Sequence, residues 1–491
     1  MNILGLDIGT GGTRAVLIDE EGKVLSTESA EHPPFASPQI GWAEQDPEDW
    51  WKAAVRAIRG IVAKFPSDSI GAIGLTGQMH GSVLLDKSDR PIRPALLWCD
   101  QRTEMQCREI TEKIGAQKLI ELVSNPAITG FTLPKLLWVQ ANEPAVWQQV
   151  ATVLLPKDFI RMRLSGDKAS DVADASGTLL FDVRNRKWSA EIIEAFGFDA
   201  GILPPVFESI EVTGTISDRA AQETGMRAGT PIVAGAGDNA AGAIGMGIAK
   251  PGSVSCTIGT SGVVFGVSDE PRLDVGGRIH TLCHAIPGRW HNTGVTLAAG
   301  YSLKWFRQNF GGGKSYDQLA AEAATVSVGS DGAIWLPYLM GERSPHLDPK
   351  ARAAFIGLTA NHTTASLTRA VLEGVAFSLR DSIEIFKELG TSIETIRLGG
   401  GGARSPIWCQ IQSDVYGQAV ETLVADEGAA YGAALLAGVG TGMWETVDEA
   451  CVETVKTSNT YEPDPRNVEI LNKTFEEYRR LYPLLRSIQD R

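Results

Sequence analysis

The chain has 491 residues, room for two to four domains of ordinary size. Its 59 Asp and Glu outnumber 45 Lys and Arg, and the resulting charge of −14 argues against a nucleic-acid partner, which calls for a basic face. Six cysteines without a C-x-x-C pair read as reduced thiols of a cytoplasmic protein, no run approaches the roughly 18 apolar residues of a membrane span, and Met1–Asp7 lacks the basic start of a signal peptide, so no membrane partner is expected.

The first thirty residues predict three short strands, at Ile3–Ile8, Thr13–Asp19 and Val24–Glu28, joined by Gly9-Thr10-Gly11-Gly12 and by the turn Glu20–Lys23. Asp46 and Pro47 open a helix whose apolar positions Trp50, Ala54, Ile58, Ile61 and Val62 recur at helical spacing. A strand follows at Ile70–Thr76. A meander followed by helix-linked strands describes a mixed sheet with helical crossovers. The pattern Ile8-Gly9-Thr10-Gly11-Gly12 returns as Ile258-Gly259-Thr260-Ser261-Gly262, followed by the β-rich Val263–Val267. Two related domains are therefore expected, 1–246 and 247–491, with a cleft between them. Only the first copy is preceded by a carboxylate, Asp7, where the second has Thr257. Further on, Ser366–Leu389 carries one long apolar stripe, and the strand Thr395–Leu398 runs into Gly399–Gly402 with a helix opening at Ala403.

The turn at Asp7–Gly12 is either an ordinary hairpin or a phosphate loop, with backbone N–H groups around the oxygens and Asp7 on magnesium. Gly235-Ala236-Gly237-Asp238-Asn239-Ala240 follows a strand and imitates a dinucleotide fingerprint. Asp238 would set a charge against pyrophosphate there, and the ribose-binding acid expected about twenty residues on is missing. Asp238 is then either the cap of a helix starting at Asn239 or a base projecting into the cleft. Gly311-Gly312-Gly313-Lys314-Ser315 fails as a phosphate loop because Gln308 stands where glycine is needed and Tyr301–Phe310 reads as helix. His280, His284 and His291 suit a hairpin better than zinc, for which a full ligand set is lacking. Gln78-Met79-His80 and Trp98-Cys99-Asp100-Gln101-Arg102 offer the polar and aromatic mixture that a polyol site needs.

These segments together resemble the FGGY carbohydrate kinases nearly end to end. The resemblance runs from Asp7–Gly12 and Gly41–Pro47 through Gly77–Gly81, Phe131–Trp138 and Leu155–Asp158 to Gly237–Gly242, Gly341–His346 and Gly399–Ser405. It implies an α/β protein of two actin-like, ribonuclease-H-like ATPase domains that close on ATP, Mg2+ and a sugar. The triplet Gln78-Met79-His80 is similar to that of the xylulose-phosphorylating members, which implies transfer of the ATP γ-phosphoryl group to the 5-hydroxyl of D-xylulose. By position, Asp238 would be the catalytic base and Gln78, Met79 and His80 would lie at the sugar, with Asp100, Arg102 and Asn239 as further substrate-side candidates. Asp7 would support Mg2+, and Thr10, Gly11, Gly12 and Thr13 would face the phosphates. Gly259, Thr260, Ser261, Gly400, Gly401, Gly402 and Ala403 would hold the nucleotide. Rival readings are a kinase of ribulose, glycerol or a deoxy-pentulose, and a non-catalytic ATP- or sugar-binding sensor. A homodimer is the default assembly.

Overall fold

A computed structural model describes residues 1–424 and 428–489. Two seven-stranded mixed sheets form its framework. The first takes β1 (Asn2–Ile8), β2 (Gly12–Ile18), β3 (Val24–Glu31), β4 (Ile70–Gly77), β5 (Val212–Thr215), β6 (Pro231–Val233) and β7 (Ala236–Gly237), in the order β5-β6-β4-β1-β2-β3 with β7 also on β4. The second takes β8 (Ser253–Ile258), β9 (Gly262–Ser268), β10 (His280–Cys283), β11 (Trp290–Thr296), β12 (Thr395–Gly400), β13 (Val420–Leu423) and β14 (Thr457–Tyr461), in the order β10-β11-β9-β8-β12-β13-β14. The helices that matter to the site are α1 (Pro47–Val62), α2 (Asp238–Gly245), α3 (Gly300–Phe310), α4 (Thr364–Glu388) and α5 (Gly428–Gly440).

The internal echo is a structural repeat. β1 pairs antiparallel with β2 and parallel with β4; β8 pairs antiparallel with β9 and parallel with β12. Each hairpin turn is closed by its first glycine: Gly9 N–H donates to Gly12 O at 3.0 Å, and Gly259 N–H to Ser261 O at 2.9 Å. Ile8 stands opposite Gly77, and Ile258 opposite Gly400. The chain therefore leaves the neighbouring strand for Gln78 in one half and for Gly401 in the other.

Alternation along β1 decides what each face meets. Leu4, Leu6 and Ile8 pack with Trp50, Ala54, Ile58 and Ile61 of α1. That helix starts as expected, with the Asp46 side chain accepting from Glu48 N–H and Pro47 in its first turn. Ile3, Gly5 and Asp7 point to the other face, where α2 and α5 lie. There Ile3 and Ala72 share one core with Ala240, Ala241 and Ile244 of α2 and with Ala430, Ala434 and Leu435 of α5. Helix α5 follows the last parallel strand of the second half yet seats on the first sheet. In the second half, Val371, Val375, Leu379 and Phe386 of α4 pack against Val254, Ile258 and Val264.

Backbone meets backbone where α5 lands. A Cβ on Gly5 would stand 1.8 Å from Ala430 O, one on Gly74 1.8 Å from Ala433 O, and one on Gly432 1.8 Å from Ala241 O. Gly74→Ala is expected to lower unfolding stability by about 3 kcal/mol, since the seam cannot open locally. Gly242→Ala, in α2 with nothing within 4 Å of the added methyl, is expected to be neutral or slightly stabilising. Urea midpoints of the two variants check the contrast.

Candidate active site

Two cavities hold the residues of interest. One of about 250 Å³ is lined by Met79, His80, Phe131, Asp238 and Asn239 of the first half and by Ser261, His280, Thr293 and Arg343 of the second. The other, about 380 Å³, lies wholly in the second half, among Gly259, Thr260, Tyr301, Lys304, Tyr316, Gly401, Gly402 and Trp408.

Asp238 is the first residue of α2, and Gly237, not Asp238, occupies the cap position. Register explains its setting. Ala236 and Gly237 pair with Thr76 and Gly77 of β4, which pair in turn with Asp7 and Ile8 of β1. Two carboxylates thus stand on either side of one strand, both half-buried. Burial, with the charge of Asp7 added, pushes the Asp238 carboxyl up to about 7. Burial raises Asp7 to about 6 against the lowering effect of Arg14. The buried Oδ1 of Asp7 has no hydrogen-bond partner among the described residues. An orphaned carboxylate oxygen beside a second carboxylate is a donor set suited to a hard divalent cation. Among the described residues no three such side chains converge, so the protein alone does not build a closed metal cage.

The turn before Asp238 is held from below. Lys157, wholly buried, donates to Ala234 O at 3.4 Å, pairs with Asp158, and lies 2.8 Å from Asp171 and 3.9 Å from Asp174. Ser209 O accepts from Gly235 N–H at 3.0 Å, and the Ser209 hydroxyl donates to Asp171 Oδ2, also at 3.0 Å.

His80 sits in the left-handed region at φ 64°, an unfavourable place for a residue with a Cβ unless its surroundings hold it. Here they do: its carbonyl accepts from Lys135 Nζ at 2.8 Å and from the Thr132 hydroxyl at 3.1 Å, and Phe131 meets the ring edge-on at 4.6 Å. Burial, with the charge of Lys135, holds the imidazole well below its ordinary pKa, hence neutral. Nδ1 lies 2.6 Å from Gly177 O, which only accepts, so Nδ1 carries the proton and Nε2 is left as an acceptor. Asn239 Nδ2 lies 3.5 Å from Met79 Sδ.

Other expected site residues go elsewhere. Gln78 turns away from the cavity: its Oε1 accepts from Thr10 Oγ1 at 3.1 Å, and Trp98 Nε1 donates to that same hydroxyl at 3.0 Å. Asp100 and Arg102, expected at the substrate, are corrected to a buried structural pair. Arg102 binds both Asp100 oxygens, its Nη1 reaches Glu44 at 2.7 Å, and its guanidinium lies 3.6 Å over the Trp42 ring. Asp100 also takes Ala43 N–H at 2.7 Å. With side-chain exposures of 1 % and 0 %, both are closed off from a ligand. The Thr13 hydroxyl, expected at the phosphates, is occupied 2.9 Å from His32 Nε2. Gly11 is open, with nothing within 4 Å of an added Cβ.

On the nucleotide side Gly259, Thr260, Gly401 and Gly402 line the larger cavity, while Ser261 lines the smaller one. Gly400, at φ 70°, makes the bend after β12, and Ala403 lies in a short 3₁₀ turn, Gly401–Arg404, ahead of the helix Pro406–Tyr416 that was expected to open at Ala403. The histidine cluster is the expected hairpin of β10 and β11: His280 faces Asn125, His284 faces Ile248 O, and His291 faces Thr293. His280, read as part of a hairpin, also lines the smaller cavity. Tyr301, Lys304, Tyr316 and Arg343 were missed as cavity residues; Arg343 alone of these carried a signal, lying inside the segment Gly341–His346.

Both halves match known proteins. Residues 2–245 match the N-terminal domain, and residues 254–441 the C-terminal domain, of the FGGY family of carbohydrate kinases. A xylulose kinase of Bacillus subtilis is 38% identical over 482 residues, 98% of this chain and 96% of its own. A xylulose kinase of Escherichia coli is 38% identical over 483 residues, 98% of this chain and 99% of its own. Among solved structures, one titled as a xylulose kinase from Rhodospirillum rubrum superposes with a TM-score of 0.95 at 30% identity over all of both chains. No helix among the described residues is long and apolar enough to cross a membrane.

The raised carboxyls make stability depend on pH with a definite sign. A carboxyl whose folded pKa exceeds its unfolded value favours folding least when ionised, so its contribution is lost as pH rises from about 4 through about 7. Asp7→Asn removes one of the two charges. Its unfolding midpoint is expected to exceed that of the parent chain at pH 8 and to approach it at pH 4, read by thermal unfolding across that range.

Proposed function

Given that the chain belongs to the FGGY family of carbohydrate kinases, we propose that it transfers the γ-phosphoryl group of ATP to the 5-hydroxyl of D-xylulose, yielding D-xylulose 5-phosphate and ADP. One observation carries this reading. A sugar-sized cavity brings a carboxylate with a near-neutral pKa, Asp238, together with Met79 and the neutral acceptor His80, in a chain 38% identical to xylulose kinases along almost its whole length.

In this reaction the sugar oxygen forms a bond to the γ-phosphorus as the bond to ADP breaks, and the hydroxyl proton passes to Asp238. A base titrating near 7 suits that transfer, because it is both available and basic enough at neutral pH. Met79 and Phe131 supply an apolar wall for the C–H face of the sugar, and His80 Nε2 and Asn239 meet hydroxyls. Thr10, Gly11 and Gly12 border the phosphates, and the glycine turns at Gly259 and Gly401 admit the nucleotide close to backbone. Asp7, whose Oδ1 lacks a partner among the described residues, would hold Mg2+, which when bound offsets charge on the transferring phosphoryl group. Closing the two halves on the cavity excludes water as a competing acceptor. Six unpaired thiols suit a reducing cytoplasm.

ADP release measured with Mg-ATP and D-xylulose, L-ribulose, D-ribulose, glycerol or no sugar tests the assignment, with clear stimulation expected only from D-xylulose. Its kcat/KM is expected to climb with pH up to about 7 and then level off, as Asp238 ionises. Asp238→Asn should lower kcat by 100-fold or more, about 3 kcal/mol, with the sugar KM within a few-fold of the parent. Turnover near the parent rate would leave Asp238 a structural residue.

A further inference from the structure

A third cavity, of about 240 Å³, lies in the second half and shares no lining residue with the two above. Distant segments build it. Tyr338 and His346 come from the stretch ahead of α4, Asp381 from α4 itself, and Tyr478, Arg479 and Tyr482 from the last helix, Pro465–Gln489. Its aromatic wall is fixed in place. The rings of His346 and Tyr482 stack with centroids 3.6 Å apart, and the Tyr482 hydroxyl donates to Asp348 Oδ2 at 2.7 Å. Tyr338 Oη lies 3.1 Å from His346 Nε2 and 3.0 Å from Tyr478 Oη. Arg278, also on the wall, is spent on Asp274 and Glu388.

Asp381 and Arg479 are not spent. The Asp381 side chain is 5 % exposed, yet among the described residues its one polar contact is Arg479 Nε at 3.6 Å, too long for a hydrogen bond. Arg479, 45 % exposed, makes no hydrogen bond among the described residues either. A buried carboxylate left in this way is costly unless a ligand supplies the donor. An anion there would face Asp381, and a cation would face Arg479. A hydroxyl donates to the one and accepts from the other, and the rings beside the pair suit the C–H face of a sugar.

One loop joins this cavity to the smaller one. Within Gly341–His346, Arg343 lines the smaller cavity, while Pro345 and His346 line the third. Between them Ser344 N–H donates to Val295 O at 2.9 Å, and Val295 N–H donates to Ser344 Oγ at 3.1 Å. Val295 is itself a wall of the smaller cavity.

We infer that the third cavity binds a neutral monosaccharide ring, with its hydroxyls on Asp381 and Arg479 and its C–H face on the aromatic wall, and that its occupancy alters acceptor affinity in the smaller cavity through the loop 341–346. The effect on the acceptor rests on the kinase reading above; the binding does not.

The probe is methyl β-D-xylopyranoside, whose fifth carbon is part of the ring and offers no terminal hydroxyl to phosphorylate. Titrated into the full chain without nucleotide and read by calorimetry, it should bind saturably. Asp381→Asn and Arg479→Gln should each weaken binding by about tenfold or more. Thermal unfolding checks that both fold, and Arg479→Gln, at an exposed position, carries the test if Asp381→Asn does not. With Mg-ATP, saturating xyloside should change the D-xylulose KM about fivefold in the parent chain and leave it unchanged in the two variants. No saturable binding, or equal affinity in the parent and Arg479→Gln, overturns the site. Glycine, a zwitterion that could also bridge the pair, binding there in place of the xyloside overturns the choice of a sugar. Binding with no change in KM overturns the link between the cavities. ADP release that responds to no sugar overturns the kinase reading and leaves the binding result standing.

Discussion

Helix α5 lies so close to the first sheet and to α2 that three glycines, Gly5, Gly74 and Gly432, leave no space for a methyl group. Everything at the site depends on this seam. α2 begins with Asp238, so the helix packed against α2 also sets where the carboxylate stands. α5 belongs in sequence to the second half, so the same contact joins the halves through a shared core. Backbone-to-backbone packing of this kind is stiff, because neither partner has a side chain that can give way.

The seam runs beside a site that sets burial against charge. Asp7 and Asp238 face each other across β4, where burial raises both carboxyls. Below them, Lys157 gathers three more carboxylates, Asp158, Asp171 and Asp174, in the interior. Such an arrangement is destabilising on its own and is held by the surrounding fold. It also keeps the Asp238 carboxyl near neutral and leaves Asp7 Oδ1 without a hydrogen-bond partner among the described residues.

The smaller cavity is lined by Met79, His80, Asp238 and Asn239 of the first half and by Ser261, His280 and Arg343 of the second, so it exists only while both halves are in place. The orientation of anything bound there is set by side chains from both sheets at once.

Much of this architecture was legible in the residues. The repeat of Ile-Gly-Thr at 8–10 and 258–260 marked two hairpins with the same pairing, because short glycine turns after apolar runs are decided locally. The Asp46-Pro47 start of α1 and the stripe of α4 followed from capping and from helical spacing. Asp238 stood out at a strand-to-helix junction as cap or base, and the structure puts Gly237, not Asp238, at the cap. What the tertiary structure alone decided lies in contacts between distant segments. Asp100 and Arg102 looked like ligand-binding groups until Glu44, Trp42 and the Ala43 amide were seen to consume them. Thr13 is taken by His32, and Gln78 by Thr10. Arg343 reached the smaller cavity by the reverse route, from a segment about a hundred residues beyond Asp238 that the fold brings to the same wall. Residue type and spacing say what a side chain can bind; only the folded chain shows whether its hydrogen bonds and charge are already spent.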